Sequence, residues 1–434
     1  MTGGGPRVLC AGCGHEVSAS DPLPFSCANA APGDDIDHLL RFDFEPPVGA
    51  LPTRGHRNPF VRFRRFTWTW HAARARGLSD DDYCRLVGEL DHRIAEVDGR
   101  GFSITPYRQA PKLGVHYKDE TRNVAGSHKA RHLMGIAIHL AIVERAGAAP
   151  WDQAPPLAIA SCGNAALAAG VVAKAAHRHL KVFVPTWAEE SVMKRLEELG
   201  AELVVCPRRA GDPPGDPCYH RFRAAVRSGA LPFSCQGPDN GLTIDGGRTL
   251  GLELAAQHTE LSDSPLSRLY VQVGGGALAS STWQALELAA RAGHLDALPA
   301  LVAVQTEGGH PLVRAWQRLE ASELAAGEAL ERARQHRSEF MWPWESEPKS
   351  LATGILDDET YNYWQVLRGL VRSGGSAVVA NETQIRRARE LAHAAGVAAS
   401  ATGAAGFAGL LAMRESGTLD PRAMPAVIFS GVRR

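Results

Sequence analysis

Short apolar segments alternate with segments of helical composition between residues 156 and 207. The apolar segments PLAIAS, KVFVP and AELVVCP each have the length of a single strand. One connection, 163–180, is rich in alanine, and the other, 186–199, has Thr186 and Glu189 as a predicted capping box. Strands joined by helical crossovers run parallel, because antiparallel neighbours need only a tight turn. The alternation therefore predicts an α/β fold.

The same pattern returns in the second half of the chain. Strands are predicted at 268–273, 300–306, 376–380 and 426–430. Helices are predicted after the first two of these strands, and Asn381 can cap the helix after the third. We predict two layered α/β domains with mostly parallel sheets. The predicted bounds are about 135–240 for the smaller domain, and 99–134 with 241–434 for the larger one.

The N-terminal part has a different composition. Residues 1–55 are rich in Gly, Pro and Asp, which predicts an irregular extension. Residues 56–98 predict a helical segment of two helices, the second beginning with Ser79 as its N-cap. Aromatic and arginine side chains mix in 60–76, as in a nucleic-acid groove, but packing against the α/β body explains them more simply.

Charge and hydropathy exclude several classes of protein. The chain has 47 basic and 47 acidic residues, so neither nucleic acid nor an acidic membrane is expected as its main partner. No apolar run has the length of a membrane span, and the first residues lack the pattern of a secretion signal. Five of the eight cysteines are scattered singly, unlike a disulfide framework. We expect a cytoplasmic protein.

Three turns after predicted strands combine small residues with polar side chains. They are Ser161–Asn164 (SCGN), Gly274–Leu278 (GGGAL) and Ser430–Gly431. Ligands of open α/β folds bind beyond the carboxyl ends of the strands, and backbone amides at a helix start attract anions. Each turn taken alone can be an ordinary connection. GGGAL matches neither the P-loop nor the dinucleotide fingerprint.

Lys129, in the stretch GSHKAR, precedes a helix that is apolar nearly all round. A lysine beside a buried helix is costly unless it is paired or neutralised. The amine of such a lysine can form a Schiff base, although a lysine whose head reaches solvent is the alternative.

Taken in order, these segments resemble the pyridoxal-phosphate enzymes of the tryptophan-synthase-β type, known as fold type II, and within them threonine synthase and its relatives. ETRN (120–123) followed by GSHKAR resembles the family's E-x-x-N-P-T-G-S-F-K-D-R, and SCGN resembles its S-S-G-N. Further similar segments are KRLEELGAELV, DGGRTLGLEL, GGGAL, TGAAGFAGLL and FSG. The resemblance covers about residues 100–434, which are expected to form the catalytic region.

The resemblance implies a role for each of these residues. Lys129 would form the Schiff base with pyridoxal 5'-phosphate and move the substrate's α-proton. Asn164 would hydrogen-bond the ring hydroxyl oxygen, and Ser430 would face the pyridine nitrogen. The cofactor phosphate would be held by Gly274, Gly275, Gly276, Ala277 and Leu278, and the substrate carboxylate by Ser161, Gly163 and Ala165.

The reaction class follows from the same resemblance. Serine at the ring nitrogen favours elimination and replacement over transamination. His128 and Ala130 replace the family's usual Phe and Asp, Val124-Ala125 replaces Pro-Thr, and Ser400-Ala401 replaces Glu-Pro. We therefore predict a lyase or synthase acting on an amino acid with a β- or γ-leaving group. Threonine synthase acting on O-phosphohomoserine and a non-catalytic binding protein remain alternatives. Relatives are commonly dimers, so a homodimer is expected.

The early cysteines form a candidate metal site. Cys10 and Cys13 form a CxxC knuckle, and Cys27 follows. Some threonine-synthase relatives carry an N-terminal zinc ribbon, whose structural zinc needs four ligands. No further cysteine follows closely, so His38 completes the candidate set, with His15 and the weaker ligands Asp34, Asp35 and Asp37 as alternatives. A degenerate ribbon with free thiols remains the other interpretation.

Overall fold

Three sheets organise the described part of the chain, which comprises residues 5–18, 20–31, 33–213, 215–419 and 423–432 of a computed structural model. Two of them, of six and four strands, are mostly parallel and covered by helices. The predicted α/β class with two layered units is confirmed. None of the described helices has the length and apolar character needed to cross a membrane.

The N-terminal extension contains a small antiparallel sheet in the order β2-β1-β3. Its strands are β1 (Arg7–Cys10), β2 (Glu16–Val17) and β3 (Leu40–Asp43). This differs from the irregular segment that composition predicted. Strands of two to four residues are too short to show an alternation of apolar and polar positions, and β1 and β3 pair across a long loop.

Three helices follow, where two were predicted: α1 (Pro59–Arg62), α2 (Trp68–Ala75) and α3 (Asp80–Asp98). Ser79 caps α3 in a capping box with Asp82, as predicted. The break before α2 has a tertiary cause, because the first amides of α2 donate to the distant carboxylate of Asp245 at 2.8 and 3.0 Å. The aromatic side chains of this segment are packed inside, including Phe60, Phe63, Phe66 and Trp68.

The hairpin of β4 (Tyr107–Ala110) and β5 (Val115–Asp119) leads into α4 (Lys129–Arg145). As predicted, α4 is buried on nearly every face. It packs between α5 (Asn164–Ala175) of the smaller unit and α8 (Leu242–Leu261) of the larger unit. The helix that begins with Lys129 therefore lies where the two units meet.

The smaller unit has a parallel sheet in the order β8-β7-β6-β9. Its elements are β6 (Leu157–Ala160), α5 (Asn164–Ala175), β7 (Leu180–Val184), α6 (Glu190–Glu198), β8 (Glu202–Val205), α7 (Pro217–Arg227) and β9 (Leu231–Pro232). The predicted capping box of Thr186 is wrong. Helix α6 begins later, after Glu189, whose side chain makes no capping bond.

The larger sheet has the order β12-β11-β10-β13-β5-β4, parallel except for β4. Its remaining elements are α8 (Leu242–Leu261), β10 (Arg268–Gln272), α9 (Ala277–Arg291), β11 (Ala300–Thr306), α10 (Pro311–Glu320), α11 (Ala326–Gln335), α12 (Arg337–Phe340), α13 (Tyr363–Ser373), β12 (Ser376–Ala380), α14 (Glu382–Ala394), α15 (Ala401–Glu415) and β13 (Ala426–Phe429). Asn381 caps α14, as predicted. Alternate strand residues face opposite helical layers, so both faces of the sheet are buried.

Four charged side chains with no exposure to solvent join β5, the turn after it, α4 and α8. Arg131 of α4 pairs with Glu120 at 2.8 Å and with Glu253 of α8 at 2.6 Å, and Lys118 of β5 pairs with Glu253 at 2.5 Å. Burial alone would raise the pKa of Glu253, but Arg131 and Lys118 outweigh it and hold the pKa below its usual value. Two positive and two negative charges thus compensate one another inside the protein.

We predict that Glu253→Gln lowers the free energy of unfolding by about 3–5 kcal/mol, because two buried cations lose their shared partner. Glu260→Gln removes the same charge from an exposed position of the same helix and should have little effect. Chemical denaturation followed by circular dichroism measures both variants. Equal stability of the two variants would contradict a structural role for the buried network.

Candidate active site

Lys129 is held at the start of α4 by a rigid turn. Its side chain is partly exposed, whereas the neighbouring residues His128 and Ala130 are buried. The turn before it is fixed by Asn123, whose Nδ2 donates to Glu120 Oε2 at 2.9 Å and to the carbonyl of Ser127 at 3.2 Å. Lys129 is thus a partly exposed residue among buried neighbours. The space beside it, between the two α/β units, is called the cleft below.

The turn after β6 forms one side of the cleft. Ser161, Cys162, Gly163, Asn164 and Ala165 are all partly exposed. Asn164 begins α5, and a side chain added at Gly163 would meet nothing within 4 Å. The backbone at Gly163 is therefore open to a ligand at a helix start, where unpaired amides favour an anion.

Ser430 follows β13 and lies beside Lys129. Its carbonyl accepts a hydrogen bond from the His128 amide at 3.0 Å, and its hydroxyl oxygen accepts one from Gln272 Nε2. Because that oxygen accepts from Gln272, its own proton is free to be donated to a ligand. Gln272 was not among the site residues predicted from the sequence. The one feature that could have indicated it is an amide side chain at the end of the otherwise apolar C-terminal part of strand β10.

His128 stands where the related enzymes usually have phenylalanine, and it behaves as a neutral ring. Its Nδ1 lies 3.1 Å from the Ser430 carbonyl. Burial, and next the charge of Lys129, lower the pKa of His128 well below its usual value. The substitution therefore adds no positive charge to the cleft at neutral pH.

The glycine turn after β10 opens α9. Gly276 has a φ of 90°, a conformation that favours glycine, and an added Cβ at Gly275 would lie 2.8 Å from the Tyr361 ring. The carbonyl of Gly274 accepts from Thr360 Oγ1, and that of Gly275 accepts from the Asn362 amide, both at 2.9 Å. Residues 360–362 therefore fix the loop from behind.

Asp357 lies against this loop and was not among the site residues predicted from the sequence. An added Cβ at Gly274 would collide with Asp357 Oδ2. Desolvation raises the pKa of Asp357, while the charge of Lys129 and the Gly275 N–H oppose that shift. The Gly275 N–H thus already acts on a carboxyl group, which is the kind of backbone contact that a phosphate site requires.

Two further features fit a bound cofactor at this place. Ser127 Oγ is buried without a hydrogen-bond partner in the described part of the chain. An added Cβ at Gly431 would lie 2.9 Å from Ser127 Cβ and 3.2 Å from Asn164 Nδ2. The amine, the hydroxyl and amide groups and the anion-binding loop therefore meet in one cleft, and these residue types fit pyridoxal phosphate. Their separate roles in binding it stay predictions.

The N-terminal cysteines form a second candidate site. Ligand atoms of Cys10, Cys13, Cys27 and His38 all lie within 4.8 Å of one another. Cys13 Sγ lies 3.7 Å from Cys27 Sγ, and Cys10 Sγ lies 3.4 Å from His38 Nδ1. A tetrahedral zinc site requires about 3.8 Å between sulfurs and about 3.5 Å between sulfur and nitrogen. The four residues therefore fit a zinc ion.

The surroundings of this cluster also match a metal site. Asp34 Oδ2 lies 2.7 Å from His38 Nε2, so a carboxylate orients the ring whose other nitrogen faces the cysteines. The Cys13 amide donates to Cys10 Sγ at 3.4 Å, and Asn29 Nδ2 donates to Cys13 Sγ at 3.7 Å. His15, one of the alternative ligands, is not part of the cluster.

Solved structures similar to this chain share its fold at low identity. Maize serine racemase is 20% identical, with a TM-score of 0.57, over 80% of this chain and 92% of the racemase. A threonine deaminase from T.th. is 20% identical, with a TM-score of 0.57, over 81% and 98% of the two chains. Diaminopropionate ammonia lyase of Escherichia coli is 16% identical, with a TM-score of 0.59, over 81% and 88%.

Sequence comparison gives the family. Threonine synthase of Methanocaldococcus jannaschii is 25% identical over 182 residues, a match that spans 42% of this chain and only 40% of that protein's length. The profile described as "Pyridoxal-phosphate dependent enzyme" matches residues 100–431, which include Lys129 and all three turns. The chain therefore belongs to the family of pyridoxal-phosphate dependent enzymes.

Proposed function

We propose that this chain is a lyase or synthase that acts on a free amino acid with a leaving group on its β or γ carbon. The observation that carries the proposal is the meeting of Lys129, the glycine loop and Ser430 in one cleft. The names of similar structures, threonine deaminase and diaminopropionate ammonia lyase, support elimination chemistry.

In this proposal each part of the cleft has one task. Lys129 Nζ holds the cofactor and moves the proton at the substrate's Cα. Its position suits both tasks, because Lys129 directly follows the turn that Asn123 fixes. The amides after β6 bind the substrate carboxylate beside Ser161, Gly163 and Ala165. The amides of 274–278 bind the cofactor phosphate, and Asn164 donates to the ring oxygen. When bound, the cofactor accepts the electrons left on Cα.

Ser430 supports the choice of reaction. A hydroxyl donates a hydrogen bond to a ring nitrogen without delivering a full proton, whereas a carboxylate would hold that nitrogen protonated. The Gln272 amide keeps the hydroxyl oriented for donation. A less electron-withdrawing ring suits departure of a β or γ substituent better than transamination.

We predict that Lys129→Ala keeps the fold and abolishes turnover, because its amine performs both tasks. Lys194→Ala, on the exposed face of α6, is the matched control and should be unchanged. Two measurements are made. The first is the visible absorption band of the protein with added pyridoxal phosphate, and the second is the release of ammonia or keto acid from a panel of amino acids. Normal turnover in Lys129→Ala would reject the proposal.

The second candidate is threonine synthase, which the partial similarity to the Methanocaldococcus jannaschii enzyme favours. It requires release of inorganic phosphate from O-phosphohomoserine. The same amino-acid panel separates the two, since phosphate release would favour the synthase and ammonia release the lyase.

We also propose that Cys10, Cys13, Cys27 and His38 bind a structural zinc ion that stabilises the N-terminal module. The distances and the Asp34 partner of His38 support it. Such a site would hold the knuckle against α11 and α12, where the Asp37 amide donates to the Arg334 carbonyl at 2.9 Å and the Arg337 amide donates to that of Asp35 at 2.7 Å.

We predict about one zinc per chain in the purified protein, measured by elemental analysis after dialysis. Cys13→Ser and His38→Ala should each lose the metal and lower the thermal midpoint, because three ligands do not complete a closed site. Cys84→Ser removes a thiol outside the cluster and should retain the zinc. Absence of zinc from the unmodified protein would favour a degenerate ribbon with free thiols.

A further inference from the structure

Asp357 is the feature of the cleft that the proposed function leaves without a role. It follows the short turn Thr353–Ile355 and lies half-buried, with its carboxylate against the backbone of Gly274. Lys129 is close enough for its charge to act on the carboxyl group. Asp357 therefore faces the same space as the amine on which the proposed reaction depends.

With the cofactor bound in the cleft, the negative charges around Asp357 would outnumber the positive ones. Lys129 is the cation that acts on it most strongly, and the neighbouring Asp358 adds a second negative charge. A phosphate on the glycine loop would add negative charge beside the carboxylate, while the cofactor would engage the Lys129 amine. A half-buried carboxylate that loses its cation is unfavourable, so a positive group on the substrate would be stabilised at this position.

A further carboxylate lies near the segment of Asp357. Asp239, in the loop after β9, accepts from the Tyr219 hydroxyl at 3.1 Å, and its other oxygen is buried without a partner in the described part of the chain. Tyr219 and Tyr361 lie with ring centroids 6.2 Å apart, which brings the partner of Asp239 to the segment of Asp357. Arg223 is the cation that acts on Asp239, and Arg337 is paired with Glu359. Neither is among the charges that act most on Asp357.

The geometry points to Asp357 as a specificity-determining residue, which selects an amino acid carrying a second, positively charged amino group. The ammonium group of such a substrate would pair with Asp357, whereas a neutral side chain leaves the carboxylate unpaired and a phosphorylated one is repelled. This inference rests on the proposed function and names the substrate class of the same site.

The test is a binding titration of the cofactor-loaded protein, followed by the shift of its visible band. Diaminopropionate, serine and O-phosphohomoserine are the probes. We expect half-saturation with diaminopropionate at a concentration about 10- to 100-fold lower than with serine, the size of one charged hydrogen bond, and weaker binding of the phosphorylated probe.

Asp357→Asn should remove most of this preference and leave the affinity for serine within about twofold, because only the charge is lost. Asp358→Asn, the exposed neighbour, removes the same charge outside the cleft and should keep the preference. Calorimetric titration of cofactor-free protein with pyridoxal phosphate checks each variant independently of activity. It should show cofactor binding in Asp357→Asn at least as tight as in the unmodified protein.

Two results would overturn the inference: an unchanged preference in Asp357→Asn, or tighter binding of serine or O-phosphohomoserine than of diaminopropionate by the unmodified protein. Either would leave the proposed function standing if the band still shifts with some amino acid. A band that shifts with no amino acid in any variant would instead reject the proposed function itself.

Discussion

Four charged side chains buried without solvent hold together the segments from which the cleft is built. Lys118, Glu120, Arg131 and Glu253 come from β5, the turn after it, α4 and α8. None of these charges could be buried alone, because each would lose its hydration without compensation. Because these side chains pair with one another, the position of α4 depends on β5, the turn after it and α8. Lys129 lies two residues before Arg131, so the same pairing sets where its amine enters the cleft.

Parallel strands then bring the remaining groups to that amine. The turns after β6, β10 and β13 lie at the carboxyl ends of their strands, and the first two lead directly into α5 and α9, whose N-terminal ends favour an anion. Ser430 is tied to His128 on one side and to Gln272 on the other. The ends of strands from both sheets therefore lie near one another, and residues distant in the chain, such as Asn164 and Gly431, come together.

The N-terminal module is linked to the same cleft through ion pairs. Asp37, next to His38, pairs with Arg337 at 3.3 Å, and Arg337 pairs with Glu359 at 2.5 Å. Glu359 lies between Asp357 and Tyr361, which touch the glycine loop. Two consecutive ion pairs thus join the N-terminal module to the segment that contains Asp357.

Local order and residue type were readable from the sequence. The alternation of strands and helices, the caps at Ser79 and Asn381 and the buried helix after Lys129 all depend on residues close in the chain, and the structure agrees with them. His38 was a candidate ligand by residue type alone, and the structure brings it to the three cysteines. Pairings between distant residues were not readable, because no local signal marks them. Tertiary packing alone decided three such contacts. They are the bond from the first amide of α2 to Asp245, the pair of Arg131 with Glu253 in α8, and the approach of Asp357 to Gly274. In each case the two groups are far apart in the chain, so only the folded structure sets the distance between them.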